Sequence, residues 1–60
     1  MLLECFTKGN NRCHFPFTYE NQMHSKCTTQ GSSAAWCATT VTQGGEYDDW
    51  DYCVRGEGCF

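Results

Sequence analysis

Sixty residues allow one domain and leave too little apolar volume for an ordinary layered core. Two Leu, two Val and no Ile stand against six Cys and nine Phe, Trp and Tyr, which excludes an aliphatic core and calls for crosslinks and aromatic packing instead. The formal net charge is −3, and the only cations, Lys8, Arg12, Lys26 and Arg55, are scattered; this excludes a basic footprint for nucleic acid or an anionic membrane surface.

Taken in order, Leu2 to Arg12 opens with a short apolar patch and turns polar. Met1-Leu2-Leu3 is too short for the apolar region of a signal peptide, so a secretory leader, if used, lies outside this sequence. Lys8-Gly9-Asn10-Asn11 is turn chemistry, because Gly and Asn tolerate positive φ. In Phe15-Pro16-Phe17 the proline removes a backbone donor and fixes φ, which predicts an edge or a bend; the bond preceding it is free to be cis or trans. Phe17-Thr18-Tyr19 and Met23-His24-Ser25 flank Glu20-Asn21-Gln22 as a first hairpin. Thr28 to Ala34 is small and polar, broken by Gly31. Ala35 to Val41 suits a strand, the segment from Val41 to Gly45 is a flexible loop, and Trp50 to Cys53 is the return strand of a second hairpin. No window holds a helical period, and no run approaches the ~20 apolar residues a bilayer span needs. The chain shows no repeat and no linker. It reads as two small hairpins tied by crosslinks.

The cysteines fit disulfides better than a metal. Structural zinc sites favour closely paired ligands, whereas the nearest pair here, Cys53 and Cys59, has five residues between them. A short chain this rich in cysteine belongs in an oxidising compartment, so a secreted or extracellular location is expected. His14 and His24 lack a third ligand at metal spacing. Glu46, Asp48, Asp49 and Asp51 offer oxygens for Ca²⁺ but in no recognised loop pattern, and a solvated acidic loop is the better reading. Those carboxylates beside Trp50 would also favour a cationic guest. No nucleophile–base set is arguable, and paired carboxylates need a deep cleft that so small a domain hardly makes. The chain is expected to be no enzyme and to need no cofactor or metal.

Cys13-His14-Phe15-Pro16-Phe17-Thr18-Tyr19, Cys27 with Gly31 after it, Trp36-Cys37-Ala38-Thr39-Thr40 and Trp50-Asp51-Tyr52-Cys53 together resemble the fibronectin type II module. The resemblance spans residues 13–53. It implies a small disulfide-rich, mostly β fold: two short double-stranded antiparallel sheets, roughly perpendicular, with large loops. It also implies Cys13–Cys37 and Cys27–Cys53, which leaves Cys5–Cys59 to join the segments 1–12 and 54–60 outside the module core. All 60 residues then form one domain.

The family resemblance further implies a shallow pocket walled by rings that accepts collagen or gelatin side chains or a choline head group. Trp36, Trp50 and Tyr52 match the ring-bearing places, with Tyr19 and Tyr47 as neighbours. Phe15, Phe17 and Tyr52 read foremost as core. Two departures bear on the ligand. The family ring shortly after WCATT is missing at Thr42-Gln43-Gly44, where Tyr47 either folds back to replace it or stays outside. The usual basic residue is missing from Gln30-Gly31-Ser32-Ser33. The leading expectation is an extracellular module contacting collagen- or gelatin-like extended chains, as a monomer or as one module of a larger protein. Choline-lipid head-group binding comes next. A stand-alone secreted disulfide miniprotein, toxin- or inhibitor-like, is the third.

Overall fold

The computed structural model describes residues 4–60; the apolar patch at Met1 to Leu3 lies outside the described residues. Five strands follow in order: β1 (Phe6–Thr7), β2 (Phe17–Tyr19), β3 (Gln22–His24), β4 (Trp36–Val41) and β5 (Tyr47–Arg55). They form a three-stranded sheet in the order β1-β5-β4 and a two-stranded sheet β2-β3, all neighbours antiparallel. Among the described residues there is no helix, and so none long and apolar enough to cross a membrane.

Both expected hairpins are present, with shifted limits. In the first, Glu20 and Asn21 have φ of 48° and 63°, the pair of left-handed residues that turns a two-residue hairpin with the natural strand twist. The loop is therefore two residues, and Gln22 belongs to β3, paired with Tyr19. In the second, Thr42 N–H donates to Glu46 O at 2.8 Å and Gly45 N–H to Thr42 O at 2.9 Å, so the turn closes early. The return strand starts at Tyr47, opposite Val41, rather than at Trp50, and it runs on to Arg55. The Phe15–Pro16 peptide is cis.

One sheet has a third strand, which lies in the segment 1–12 expected outside the module core. β1 pairs with β5 through Phe6↔Arg55 and Thr7↔Cys53. Long-range contacts hold it there. The Arg55 guanidinium lies 4.9 Å from the Phe6 ring centre and donates to Asn10 Oδ1 at 2.8 Å. The Cys5–Cys59 disulfide closes the same end. Gly56, at φ +136°, lies against this link; a Cβ there would come within 2.7 Å of Glu4 O and 2.5 Å of Cys59 Sγ. A side chain at this place has no room.

The core is sulfur and aromatic carbon. Cys5–Cys59, Cys13–Cys37 and Cys27–Cys53 are bonded, and all six cysteines are buried. The last two links touch, with Cys13 Sγ 3.8 Å from Cys53 Sγ. The four sulfurs lie within 4.8 Å of one another, a spacing that thiolates would share round a metal, but each is spent in a disulfide. Phe17 is fully enclosed and its ring centre lies 5.2 Å from that of Trp36. Thr7 is the one buried polar residue among those described; its hydroxyl accepts from Asn11 N–H at 3.1 Å, which settles the group inside.

Candidate functional site

Strand alternation gathers the rings. Cross-strand pairing sets Trp36 opposite Tyr52 and Ala38 opposite Trp50, so these four side chains share one face of the β4–β5 ladder. Cys37 opposite Asp51 takes the other face. A shift of register near Thr40 resets the pattern, and Tyr47 comes to pair with Val41. β2 supplies Tyr19 from the second sheet, and the 28–33 loop supplies the rim.

The result is an open cavity of about 310 Å³ lined by Tyr19, Gln30, Gly31, Ser32, Trp36, Tyr47, Trp50 and Tyr52. Trp36 is its floor. That ring is only 4% exposed, and its Nε1–H donates to Gln30 O at 2.9 Å. Tyr19 meets it edge-on at 5.1 Å, Tyr47 at 5.8 Å and Trp50 at 6.0 Å. Trp50 and Tyr52 stand at right angles with centres 5.0 Å apart. Such edge-to-face geometry is what the ring quadrupoles favour.

All five ring positions named from the sequence therefore line one cavity. Tyr47 folds back and packs against both Tyr19, at 5.3 Å, and Trp36. Tyr52, read foremost as core, is instead 39% exposed, because its side chain leaves β5 on the face away from Cys53. Phe17 is core, and Phe15 is partly buried against it.

Gln30, Gly31 and Ser32 were not singled out from the sequence as lining residues. Gly31 carried the available signal. Its φ is +74°, and a Cβ there would lie 2.9 Å from the Tyr19 hydroxyl. The missing side chain lets the phenol close the rim. Gly31→Ala is expected to cost about 1–3 kcal/mol through backbone strain and displacement of that ring. A urea midpoint with NMR shifts of the Tyr19 ring checks it; an unmoved ring would refute the account.

The acidic run faces elsewhere. Asp51 Oδ2 accepts from Gly9 N–H at 3.0 Å and its Oδ1 from Tyr52 N–H at 2.7 Å. Asp49 Oδ1 accepts from Trp50 N–H at 3.0 Å, and Asp48 Oδ2 takes the Thr40 hydroxyl at 3.4 Å. Among the described residues no carboxylate lines the cavity. Alternation sends Asp49 and Asp51 to the side opposite Trp50 and Tyr52, so the expectation that the acidic run would draw a cationic guest finds no support from these two.

The Tyr52 N–H, and then the Gly9 N–H, hold the Asp51 carboxyl below its ordinary range. A depressed carboxyl stabilises the fold above the unfolded-state value, and the effect is lost as pH falls through the folded-state value. Wild type and Asp51→Asn should therefore differ in thermal midpoint at neutral pH and converge in acid, below the ordinary aspartate range. A constant difference across that window would assign the effect to something other than this charge.

His14 is exposed, while His24 packs on Phe17 at 5.3 Å and bonds Gln30, so the two serve no common site.

Comparison with known proteins agrees with this architecture. The model of the fibronectin type II domain family matches residues 13–53. Coagulation factor XII of Rattus norvegicus is 43% identical over 51 residues, which is 82% of this chain and 8% of that protein. The hepatocyte growth factor activator serine protease of Homo sapiens is 40% identical over 56 residues, 87% of this chain and 8% of that protein. Matrix metalloproteinase-9 of Canis lupus familiaris is 57% identical over 31 residues, 48% of this chain and 4% of that protein. The chain thus spans under a tenth of the length of these relatives. The matched stretch contains the four central cysteines, the WCATT strand and the ring-bearing return strand, and on that match the chain belongs to the fibronectin type II domain family.

Proposed function

We propose that the ring-lined cavity binds an extended, proline-rich matrix chain of the collagen or gelatin kind. A fibronectin type II domain is a non-catalytic binding module, so the question is what enters the cavity. One observation carries the reading. Tyr47, Trp50 and Tyr52 are 38%, 44% and 39% exposed around an enclosed Trp36, although a chain this short needs every ring it can bury. Uncovered large rings grouped at one depression mark a contact surface. Rigid rings give contact area at low entropic cost, and polyproline II segments dock in such aromatic-lined grooves. The lining is uncharged, which suits a prolyl or aliphatic guest and predicts binding that is insensitive to salt.

A choline head group is the second reading, favoured by the meeting of Tyr19, Trp36 and Tyr47, since ring faces attract quaternary ammonium. Three disulfides in 60 residues support an extracellular setting.

Retention on gelatin resin against phosphocholine resin, across salt concentrations, tests the choice. Trp50→Ala should keep the fold and weaken gelatin binding roughly 30-fold, the effect of a central aromatic anchor. Gelatin binding that survives this change would remove the cavity as its site. Retention on phosphocholine alone would favour the lipid reading. Retention on neither, with activity on a receptor, would favour the effector reading.

A further inference from the structure

We propose that His24 and Gln30 act as a latch that fixes the cavity rim, with His24 a positioning residue that leaves the Gln30 carboxamide NH₂ as a donor for a peptide carbonyl of the guest. The proposal rests on the cavity being the site for an extended chain. Gln30 joins three parts of the molecule. Its Oε1 lies 2.8 Å from His24 Nε2, its backbone carbonyl accepts the Trp36 indole N–H at 2.9 Å, and its own N–H donates to Thr28 Oγ1 at 3.1 Å. An amide oxygen can only accept, so His24 carries its proton on Nε2 and donates. With Oε1 engaged, the NH₂ is the group that remains on the side chain of this cavity-lining residue. An extended polyproline II chain makes no internal hydrogen bonds and offers bare carbonyls.

The fixed end of the latch is rigid. The His24 ring packs at 5.3 Å on Phe17, which is fully enclosed and itself packs on Trp36. The other end sits on a loop whose backbone is anchored at its base by the Thr28–Trp36 ladder, with bonds of 3.0 and 2.9 Å, and by the Ser32 N–H to Thr29 O bond, while Ser33 and Ala34 are exposed; His24 is the side chain that holds the Gln30 carboxamide itself. His24 itself does not line the cavity, so its effect on a guest passes through Gln30.

The test measures two quantities on each variant: affinity for a collagen-like Gly-Pro-Pro peptide, and the exchange rate of the Trp36 indole N–H by NMR. His24→Leu should speed that exchange and weaken binding about 3- to 10-fold, the worth of one hydrogen bond. His24→Gln, which restores a donor, should return both toward wild type. Gln30→Glu keeps the acceptor but loses the NH₂, so exchange should stay slow while affinity falls. If His24→Leu does not fold, His24→Phe, which keeps a ring on Phe17 and lacks the donor, takes its place with the same expected result. Unchanged exchange in the latch-breaking variant overturns the latch, whatever binds. Faster exchange with unchanged affinity overturns the positioning role. If wild type itself ignores the peptide while exchange responds as expected, the extended-chain reading fails and the latch stands.

Discussion

Trp36→Ala is expected to cost about 3–5 kcal/mol, the range for removing a buried aromatic side chain. For 60 residues at roughly 0.05–0.15 kcal/mol each, that is comparable to the whole stability of the domain. The ring touches Phe17, Tyr19, Tyr47 and Trp50, and its indole N–H fastens the rim at Gln30. Alanine would leave a hole beneath the cavity and a carbonyl without its partner. Denaturant unfolding with the disulfides intact, followed by near-ultraviolet dichroism, measures the loss. A change below about 1 kcal/mol would mean that Trp36 is not the floor. The contrast with Trp50→Ala is the test of a division of labour: loss of stability is expected from the first change, and loss of the proposed gelatin binding from the second.

The second large effect is expected from the paired substitution Cys5→Ala with Cys59→Ala. The link joins residues 54 apart, and in the chain-entropy model a closure of that length is worth about 4 kcal/mol. The two inner links already shorten the unfolded chain, so about 2–4 kcal/mol is the expected loss. The damage should be local. β1 should detach from β5, seen as faster amide exchange at Phe6 and Thr7, because the Arg55–Phe6 and Arg55–Asn10 contacts are exposed and weak alone. β4 lies on the other side of β5, and the proposed gelatin binding should persist. If binding is lost with β1, the Lys8 N–H to Tyr52 O bond, 2.9 Å long, is what steadies the Tyr52 wall.

The residues that declared themselves in the sequence are those whose identity alone restricts their role. Cysteines at family spacing and the WCATT strand located the scaffold, and the five rings named from the sequence are those the fold gathers at one cavity. β1 was illegible because two residues, Phe6 and Thr7, carry no periodicity; its place comes from partners some fifty residues away in sequence, such as Arg55 and Cys59. The face taken by Tyr52 follows from register with β4, which composition does not encode. The acidic run reads best as a solvated loop; its carboxylates neighbour Trp50 in sequence, which suggests a cationic guest beside that ring, but strand alternation turns Asp49 and Asp51 to the opposite side. The stretch Gln30-Gly31-Ser32-Ser33 stands out in the sequence only for the basic residue it lacks; the part Gln30 plays is visible once His24 is found beside it.

The enclosed indole has a consequence for how occupancy can be read. Because the depression is built on a ring that is buried only in the folded chain, a compound that fills it binds the folded state and not the unfolded one, and must raise the melting temperature. Saturation at a hundred times the dissociation constant adds about 2.7 kcal/mol to a one-site folded state. A thermal-shift screen of short peptides and head-group analogues would therefore rank guests for this domain with no label and no immobilised partner.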